Sequence, residues 1–220
     1  MELGFESIAS VFSREECDEL LAKLRQPGVG RSRAGARHLM GRAAVLRAAN
    51  DARMLGIARE WLGGGAVPYR ATLFEKSGDS NWLVVWHQDT AIPLCERFDK
   101  SGWGPWSTKA GIVYAHAPTW ALERIVALRV HLNASLSDNG PLRVIPGSHR
   151  PGVLTDDEVF DIAHREAFVE CMVERGGVLA MRPLLIHSSP KAESAEPRRV
   201  LHIEYAEALE LRPGIRLAVA

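Results

Sequence analysis

Apolar residues in the first third of the chain recur at helical spacing. A capping box formed by Ser13 and Glu16 precedes a run of leucines one helical turn apart, and it predicts a helix that ends near Arg25. A second amphipathic pattern covers residues 42–62 and ends at three successive glycines. We therefore expect residues 1–65 to form a helical support.

From residue 66 onward, short segments rich in β-branched and aromatic residues alternate with turn residues. This rhythm predicts a mainly β core, a sandwich or barrel, over residues 66–206. One helix, Thr155 to His164, is expected to interrupt it. The segment 90–120 shows no clear periodicity and is predicted to be a lid or binding loop. The predicted strands are 66–75, 82–89, 125–133, 141–146, 167–174, 177–187 and 198–206.

Alternation within the predicted strand 125–133 separates two kinds of side chain. Leu128 and Val130 point to one face, whereas Arg129 and His131 point to the other. In an ordinary sheet the polar face would be solvated. If the N-terminal helices cover the apolar face instead, the polar face lines an internal site, and the metal-ligand pattern described below favours this second interpretation.

The amino-acid composition disfavours nucleic acid and membranes as binding partners. The 220 residues are 46% hydrophobic, and 27 Lys plus Arg balance 27 Asp plus Glu. A chain of this length is expected to form a single domain, and its zero net charge gives no field that would attract nucleic acid or an anionic membrane. The three cysteines lie far apart and are expected to be reduced thiols in a soluble cytoplasmic protein. The oligomeric state cannot be read from the sequence.

A histidine and a carboxylate two residues apart carry the first chemical signal. His87 and Asp89 project from the same face of a predicted strand and can therefore grip one ion together. His187, at the end of another apolar segment, is the best third ligand. Two histidines and one carboxylate form the facial triad that leaves coordination positions open on Fe(II).

The strand after the third ligand adds a candidate for anion binding. Arg198 opens the predicted strand 198–206, and its guanidinium can hold a carboxylate by two hydrogen bonds. Ser189 can add a hydroxyl donor. Arg199 would alternate to the opposite face, so the register of this strand decides which arginine serves.

One run between these motifs carries a family resemblance. Residues 138–150, Asp-Asn-Gly-Pro-Leu-Arg-Val-Ile-Pro-Gly-Ser-His-Arg, placed between Trp86-His87-Gln88-Asp89 and the His187/Arg198 pair, closely resemble the phytanoyl-CoA dioxygenase family. The resemblance implies a jelly-roll core of the double-stranded β-helix type, cupin-like, with N-terminal helices.

The same resemblance implies an enzyme that uses Fe(II), 2-oxoglutarate and O2 to hydroxylate a small-molecule metabolite, with release of succinate and CO2. His87, Asp89 and His187 would hold the iron. Arg198 and Ser189 would bind 2-oxoglutarate, and Arg129 would lie near it.

The substrate pocket is predicted more coarsely. Aromatic and polar side chains near the candidate triad, in the segment 90–120 and on the interior strand faces can form an amphipathic pocket. These substrate candidates are Lys76, Asn81, Trp82, Trp103, Trp106, His131 and His202.

Two other functions stay open at this point. One is a catalytically silent relative that binds a dicarboxylate. Loss of His87, Asp89, His187 or Arg198 would favour it, and all four residues are present. The other is a cupin-like metal-dependent hydrolase or isomerase, in which a metal-bound water is the reagent and Arg198 is not needed.

Overall fold

The structure is a computed structural model that describes residues 2–25, 31–32, 35–77 and 80–220. Its helices confirm the helical patterns predicted at 13–25, 42–62 and 155–164, and a 3-10 helix at Leu39–Gly41 precedes the second of these. The helices are α1 (Arg14–Leu24), α2 (Ala43–Ala49), α3 (Ala52–Leu62), α4 (Thr119–Leu122) and α5 (Asp156–Arg165). None of the helices in these ranges is long and apolar enough to cross a membrane.

Strands make up most of the remainder. They are β1 (Phe5–Ile8), β2 (Arg31–Ser32), β3 (Gly35–Ala36), β4 (Val67–Lys76), β5 (Val84–His87), β6 (Ala91–Leu94), β7 (Trp106–Lys109), β8 (Ile112–His116), β9 (Ile125–His131), β10 (Leu142–Val144), β11 (Val169–Cys171), β12 (Val178–Met181), β13 (His187–Ser189), β14 (Arg198–Ala206), β15 (Glu210–Arg212) and β16 (Ile215–Arg216).

Two antiparallel sheets form the jelly-roll core. The larger has the order β1-β12-β9-β14-β4-β3-β2, and the smaller has the order β11-β10-β13-β5. Side chains from both sheets meet in one buried cluster that includes Ala127, Leu179, Leu142 and Val144. The interior of the sandwich therefore lies between β9 and β12 on one side and β10 and β11 on the other.

The N-terminal helices cover the outer face of the large sheet. Buried residues of α1, α2 and α3 pack in one cluster with Leu128 and Val130 of β9. The capping box predicted at Ser13 is present, since its hydroxyl accepts from Glu16 N and the Glu16 carboxylate accepts from Ser13 N. This packing confirms that the apolar face of β9 is turned away from the interior of the sandwich.

The segment 1–65 is not purely helical. β1 pairs with β12 in the large sheet, with Phe5 opposite Met181, and β3 pairs with β4. The sequence does not predict β1. A four-residue edge strand with a mixed burial pattern has too little periodicity to be distinguished from a loop.

The segment 90–120 is not a loop. Strands β6, β8 and β7 form a small antiparallel sheet in that order, followed by α4. Short strands separated by the turn residues of 99–105 hide this sheet from a periodicity search, because each strand spans only four or five residues. The prediction of a loop at 90–120 is therefore wrong, because the segment forms an accessory sheet, whereas its role as a lid or in binding stays a prediction.

The predicted strand 177–187 is two strands in different sheets. β12 belongs to the large sheet and β13 to the small one, and the chain crosses between them over 182–186. Pro183 lies at the crossing and has no N–H for a sheet ladder, so the apolar run cannot continue as one strand. This crossing delivers His187 to the interior.

Candidate active site

The three predicted metal ligands come together at the edge of the small sheet. β5 ends at His87, and His187 begins β13 directly opposite it in the antiparallel register. Asp89 follows β5, and its backbone N–H donates to the Pro183 carbonyl at 2.9 Å. One ligand atom from each of His87, Asp89 and His187 lies within 4.8 Å of the others.

Distances within this group fit a shared cation. Asp89 Oδ1 lies 3.7 Å from His87 Nε2, and Asp89 Oδ2 lies 3.5 Å from His187 Nε2. Both imidazoles bond through Nδ1 to a backbone carbonyl, Val85 O at 2.8 Å and Leu185 O at 2.8 Å. Since a carbonyl only accepts, each Nδ1 carries the proton and each Nε2 lone pair is free for a metal.

Burial shapes the charges of the same group. Burial, reinforced by the neighbouring His87, lowers the pKa of His187 to about 4, so this ring is neutral. For Asp89, whose side chain is 41% exposed, loss of part of its surrounding water would raise the pKa, but His187 and His87 hold it well below its usual range. For His87, burial alone would lower the pKa, but the hydrogen bond to Asp89 and the charge of that carboxylate raise it, so a metal ion bound there would replace a proton. Two imidazoles beside one carboxylate are the donor set that a divalent transition metal prefers.

A second polar cluster lies where β4 and β14 pair. Arg198 is opposite Lys76 in the register, and both side chains are almost fully buried. Ser189 Oγ accepts from Lys76 Nζ at 2.7 Å and from Arg198 Nη2 at 3.2 Å, and it donates to the Gly140 carbonyl at 2.8 Å. Lys76 also donates to the Pro190 carbonyl.

Among the described residues, no carboxylate bonds the Lys76 and Arg198 side chains of this cluster. Burial and the neighbouring Arg129 lower the pKa of Arg198, and burial lowers that of Lys76 to about 7. Arg198 Nε and Nη1 are buried and have no hydrogen-bond partner among the described residues. Buried donors of this kind are costly unless a ligand satisfies them, so the residues fit an anionic ligand.

Arg129 extends from β9 into the same interior. It is buried, its Nη1 donates to His202 Nδ1 at 3.1 Å, and its Cζ lies 5.4 Å from the centre of the Phe74 ring. Its Nε also has no partner within the described ranges. Behind it, His202 Nε2 contacts Glu204 Oε1 at 3.2 Å.

One cavity of about 90 Å³ joins these groups. It brings together the three predicted metal ligands, the two cosubstrate candidates Arg198 and Ser189, and Arg129. Apart from Lys76, its other walls are apolar or aromatic. The lining residues are Phe74, Lys76, Trp82, Val84, His87, Asp89, Arg129, Leu142, His187, Ser189 and Arg198.

The predicted substrate residues divide into two groups. Lys76 and Trp82 line the cavity, with Lys76 Nζ 5.6 Å from the Trp82 ring centre. Asn81 instead bonds the backbone of Ala192 through both ends of its amide. The other four lie outside the cavity lining.

Those four have structural contacts that explain their positions. Trp103 and Trp106 each pack edge-on against Phe98, beside the accessory sheet, so their predicted contact with substrate stays a prediction. His131 is buried with its Nδ1 2.9 Å from Ser135 Oγ. His202 lies behind Arg129 and does not line the cavity.

Three residues that matter here were not predicted. Phe74 and Leu142 form apolar walls, and both lie on predicted strands with no chemical mark to single them out. Gly140 has φ +71°, and a Cβ there would lie 2.5 Å from the Pro190 carbonyl and 3.2 Å from Lys76 Nζ. The Asp138-Asn139-Gly140 turn signal could have identified this last position as one that requires glycine.

The chain is similar to one described protein family and to two characterised proteins. The profile of the family described as phytanoyl-CoA dioxygenase matches residues 2–200. L-proline trans-4-hydroxylase of Streptomyces griseoviridis is 26% identical over 178 residues, which are 69% of this chain and 59% of that protein. Ectoine dioxygenase of Halomonas elongata is 29% identical over 121 residues, 55% of this chain and 30% of that protein. The matches thus span less than two thirds of these relatives.

Solved structures share the fold. The crystal structure of EctD from S. alaskensis with 2-oxoglutarate and 5-hydroxyectoine superimposes with a TM-score of 0.70 at 23% identity, covering 96% of this chain and 74% of that one. At this level of identity the match establishes the fold.

Proposed function

The chain belongs to the phytanoyl-CoA dioxygenase family, and we propose that it is an Fe(II)- and 2-oxoglutarate-dependent oxygenase that hydroxylates a small-molecule metabolite. The observation that carries this proposal is the juxtaposition, in one cavity, of the His87, Asp89 and His187 ligand atoms with the unpartnered donors of Arg198. A metal site alone would fit many reactions, whereas a metal site beside a buried guanidinium fits a chelating dicarboxylate.

Each ligand residue has a defined task in this proposal. His87 and His187 present Nε2, and their Nδ1 bonds to Val85 and Leu185 fix the ring planes. Asp89 supplies the single negative charge of the set. Fe(II) held there would supply, with dioxygen and 2-oxoglutarate, the oxidising power for hydroxylation of a C–H bond.

The far carboxylate of 2-oxoglutarate is assigned to Arg198, Ser189 and Lys76. The unpartnered Nε and Nη1 of Arg198 gain acceptors when a carboxylate binds, which removes the cost of leaving them buried and unsatisfied. Lys76, predicted from the sequence as a substrate contact, is thereby reassigned to the cosubstrate because it shares Ser189 Oγ with Arg198.

Arg129 is assigned to the carboxylate nearer the metal ligands. It lines the same cavity as the metal ligands and Arg198, and its charge interacts with that of Asp89 as well as lowering the pKa of Arg198. The apolar walls formed by Phe74, Trp82 and Leu142 exclude water from the space between the two anion-binding ends. The prediction that residues 1–220 act as one catalytic domain stays a prediction.

Anaerobic addition of Fe(II) and then 2-oxoglutarate tests this proposal. We expect a visible charge-transfer band from 2-oxoglutarate chelated to ferrous iron, lost in Asp89→Ala and weakened in Arg198→Ala. His164→Ala, which removes an exposed histidine on α5, is the matched control and should leave the band intact. Metal binding without the band would favour a metal-dependent hydrolase or isomerase, and no metal binding would show that the ligand set is wrong.

A further inference from the structure

A row of buried polar residues crosses the large sheet behind the cavity. In the register, His202 of β14 lies opposite Arg129 of β9, and Glu204 lies opposite Arg70 of β4. Arg129, His202 and Glu204 are all less than 7% exposed. Of the three, only Arg129 lines the main cavity, whereas His202 and Glu204 line a smaller space beside Asp89.

The hydrogen bonds in this row are donated in one direction, from Arg129 to His202 and from His202 to Glu204. Arg129 Nη1 can only donate, so His202 Nδ1, 3.1 Å away, must be the unprotonated acceptor. The ring proton then lies on Nε2 and is donated to Glu204 Oε1 at 3.2 Å. Glu204 is held in turn by Arg70 Nη1 at 3.0 Å and by Tyr69 Oη at 2.6 Å.

At the Arg129 end of the row, the guanidinium Cζ lies 5.4 Å from the centre of the Phe74 ring, and Nε has no hydrogen-bond partner among the described residues. A long arginine side chain has many rotamers, and each must be restrained if its guanidinium is to meet a ligand at one place. The contact with His202 restrains Nη1, and it leaves Nε as a buried donor without an acceptor among the described residues.

We propose that His202 and Glu204 are positioning residues that orient the Arg129 guanidinium toward the carboxylate of 2-oxoglutarate beside the metal ligands. This inference rests on the proposed function and deepens it. Neither residue touches the cosubstrate. Their effect on its binding passes through Arg129.

Two substitutions of His202 test its contact with Arg129 and its contact with Glu204 separately. The amide oxygen of asparagine reaches the place of imidazole Nδ1, so His202→Asn keeps an acceptor for Arg129. The amide nitrogen of glutamine reaches the place of Nε2, so His202→Gln keeps a donor for Glu204 and leaves Arg129 without its partner. Both variants remove the same ring, which makes each the control for the other.

The readout is the dissociation constant of 2-oxoglutarate for the Fe(II)-loaded protein under anaerobic conditions, measured by calorimetry. We expect binding to weaken about tenfold in His202→Gln, the size of a lost hydrogen bond to a charged group, and by less than about threefold in His202→Asn. Thermal unfolding of both variants shows whether either has lost the fold. Equal weakening in the two would overturn the proposal.

A second measurement distinguishes an effect through Arg129 from a general loosening of the sheet. In an Arg129→Leu background, His202→Gln should change the affinity less than about twofold, because the residue it acts through is gone. An undiminished effect in that background would show a structural role and reject the proposal. If the unaltered protein does not bind 2-oxoglutarate, the proposed function itself fails, an outcome distinct from equal affinities of the variants.

Discussion

The two faces of β9 are equally buried but have opposite chemistry. All seven residues of the strand are buried. Its outer face, with Leu128 and Val130, packs against α1, α2 and α3. Its inner face turns Arg129 toward the cavity and His131 toward Ser135.

This difference shows how burial and function can be separated within one strand. An apolar side chain under the helices gains free energy by leaving water, whereas a guanidinium in the interior costs free energy until a partner is bound. Stability is therefore expected to depend on the outer face and ligand binding on the inner face. Variants on either side test whether that separation holds.

The largest effect is expected at the metal ligands. Asp89→Ala should abolish Fe(II) binding and 2-oxoglutarate turnover, because it removes the only carboxylate of the ligand set. Since this side chain is 41% exposed, the thermal unfolding temperature of the metal-free protein should change little. Succinate formation and calorimetric metal titration measure the two quantities. A large fall in unfolding temperature would mean that metal binding and stability are not separable at this site.

Leu128→Ala tests the outer face. The side chain is fully buried in the cluster under the helices, so its truncation should lower the free energy of unfolding by about 3 kcal/mol through lost burial and a cavity. The dissociation constant of 2-oxoglutarate for the folded protein should stay unchanged. Chemical denaturation and calorimetry provide the comparison, and a coupled loss of affinity would contradict it.

Neighbouring arginines on β14 provide the matched pair for the anion-binding end. Arg198→Gln should weaken 2-oxoglutarate binding about 30-fold, because charge-assisted bonds to its far carboxylate are lost. Arg199 points the other way and pairs with Glu75 at 2.5 Å, so Arg199→Gln should leave the affinity within about twofold. Similar losses in the two variants would place the carboxylate elsewhere.

A smaller, pH-dependent effect is expected from Lys76. Its pKa falls from 10.5 to about 7 in the folded protein because of burial, so above pH 7 the folded state holds fewer protons than the unfolded state and stability rises with pH up to about 10.5. A bound carboxylate favours the charged ammonium. Affinity for 2-oxoglutarate should therefore fall about fivefold from pH 7 to pH 8.

Lys76→Met provides the control for this pH dependence. The variant should lose the fall in affinity and, without a buried amine, should be more stable than the parent when no ligand is bound. Calorimetric titrations at several pH values measure the first effect and denaturation the second. A pH profile that survives the substitution would assign it to another group.

The sequence predicted the parts of this molecule that repeat or alternate. Helical spacing predicts α1, and strand alternation separates Leu128 from Arg129. The spacing of His87 and Asp89 marks them as candidate metal ligands, because side chains two residues apart share one face of a strand. The third ligand, His187, required only that an isolated polar residue after an apolar run needs a partner.

The remaining parts depend on pairing between distant segments. β1 and the accessory sheet are short, so their stability comes from neighbours rather than from a local pattern. The sequence predicts Lys76 as a substrate contact, because no local pattern shows that it faces Ser189. It predicts His202 in the pocket, because strand alternation gives the face of a residue but not which side chain lies between it and the cavity.

The pairing of β1 with β12 also bears on how the chain folds during synthesis. Phe5 leaves the ribosome well before its partner Met181 is made. The segment of β1 must stay unpaired until then, and such long-range pairings slow folding because loop-closure entropy is lost before any contact is gained. During that interval the unpaired segment is exposed to non-native contacts, which chaperones limit.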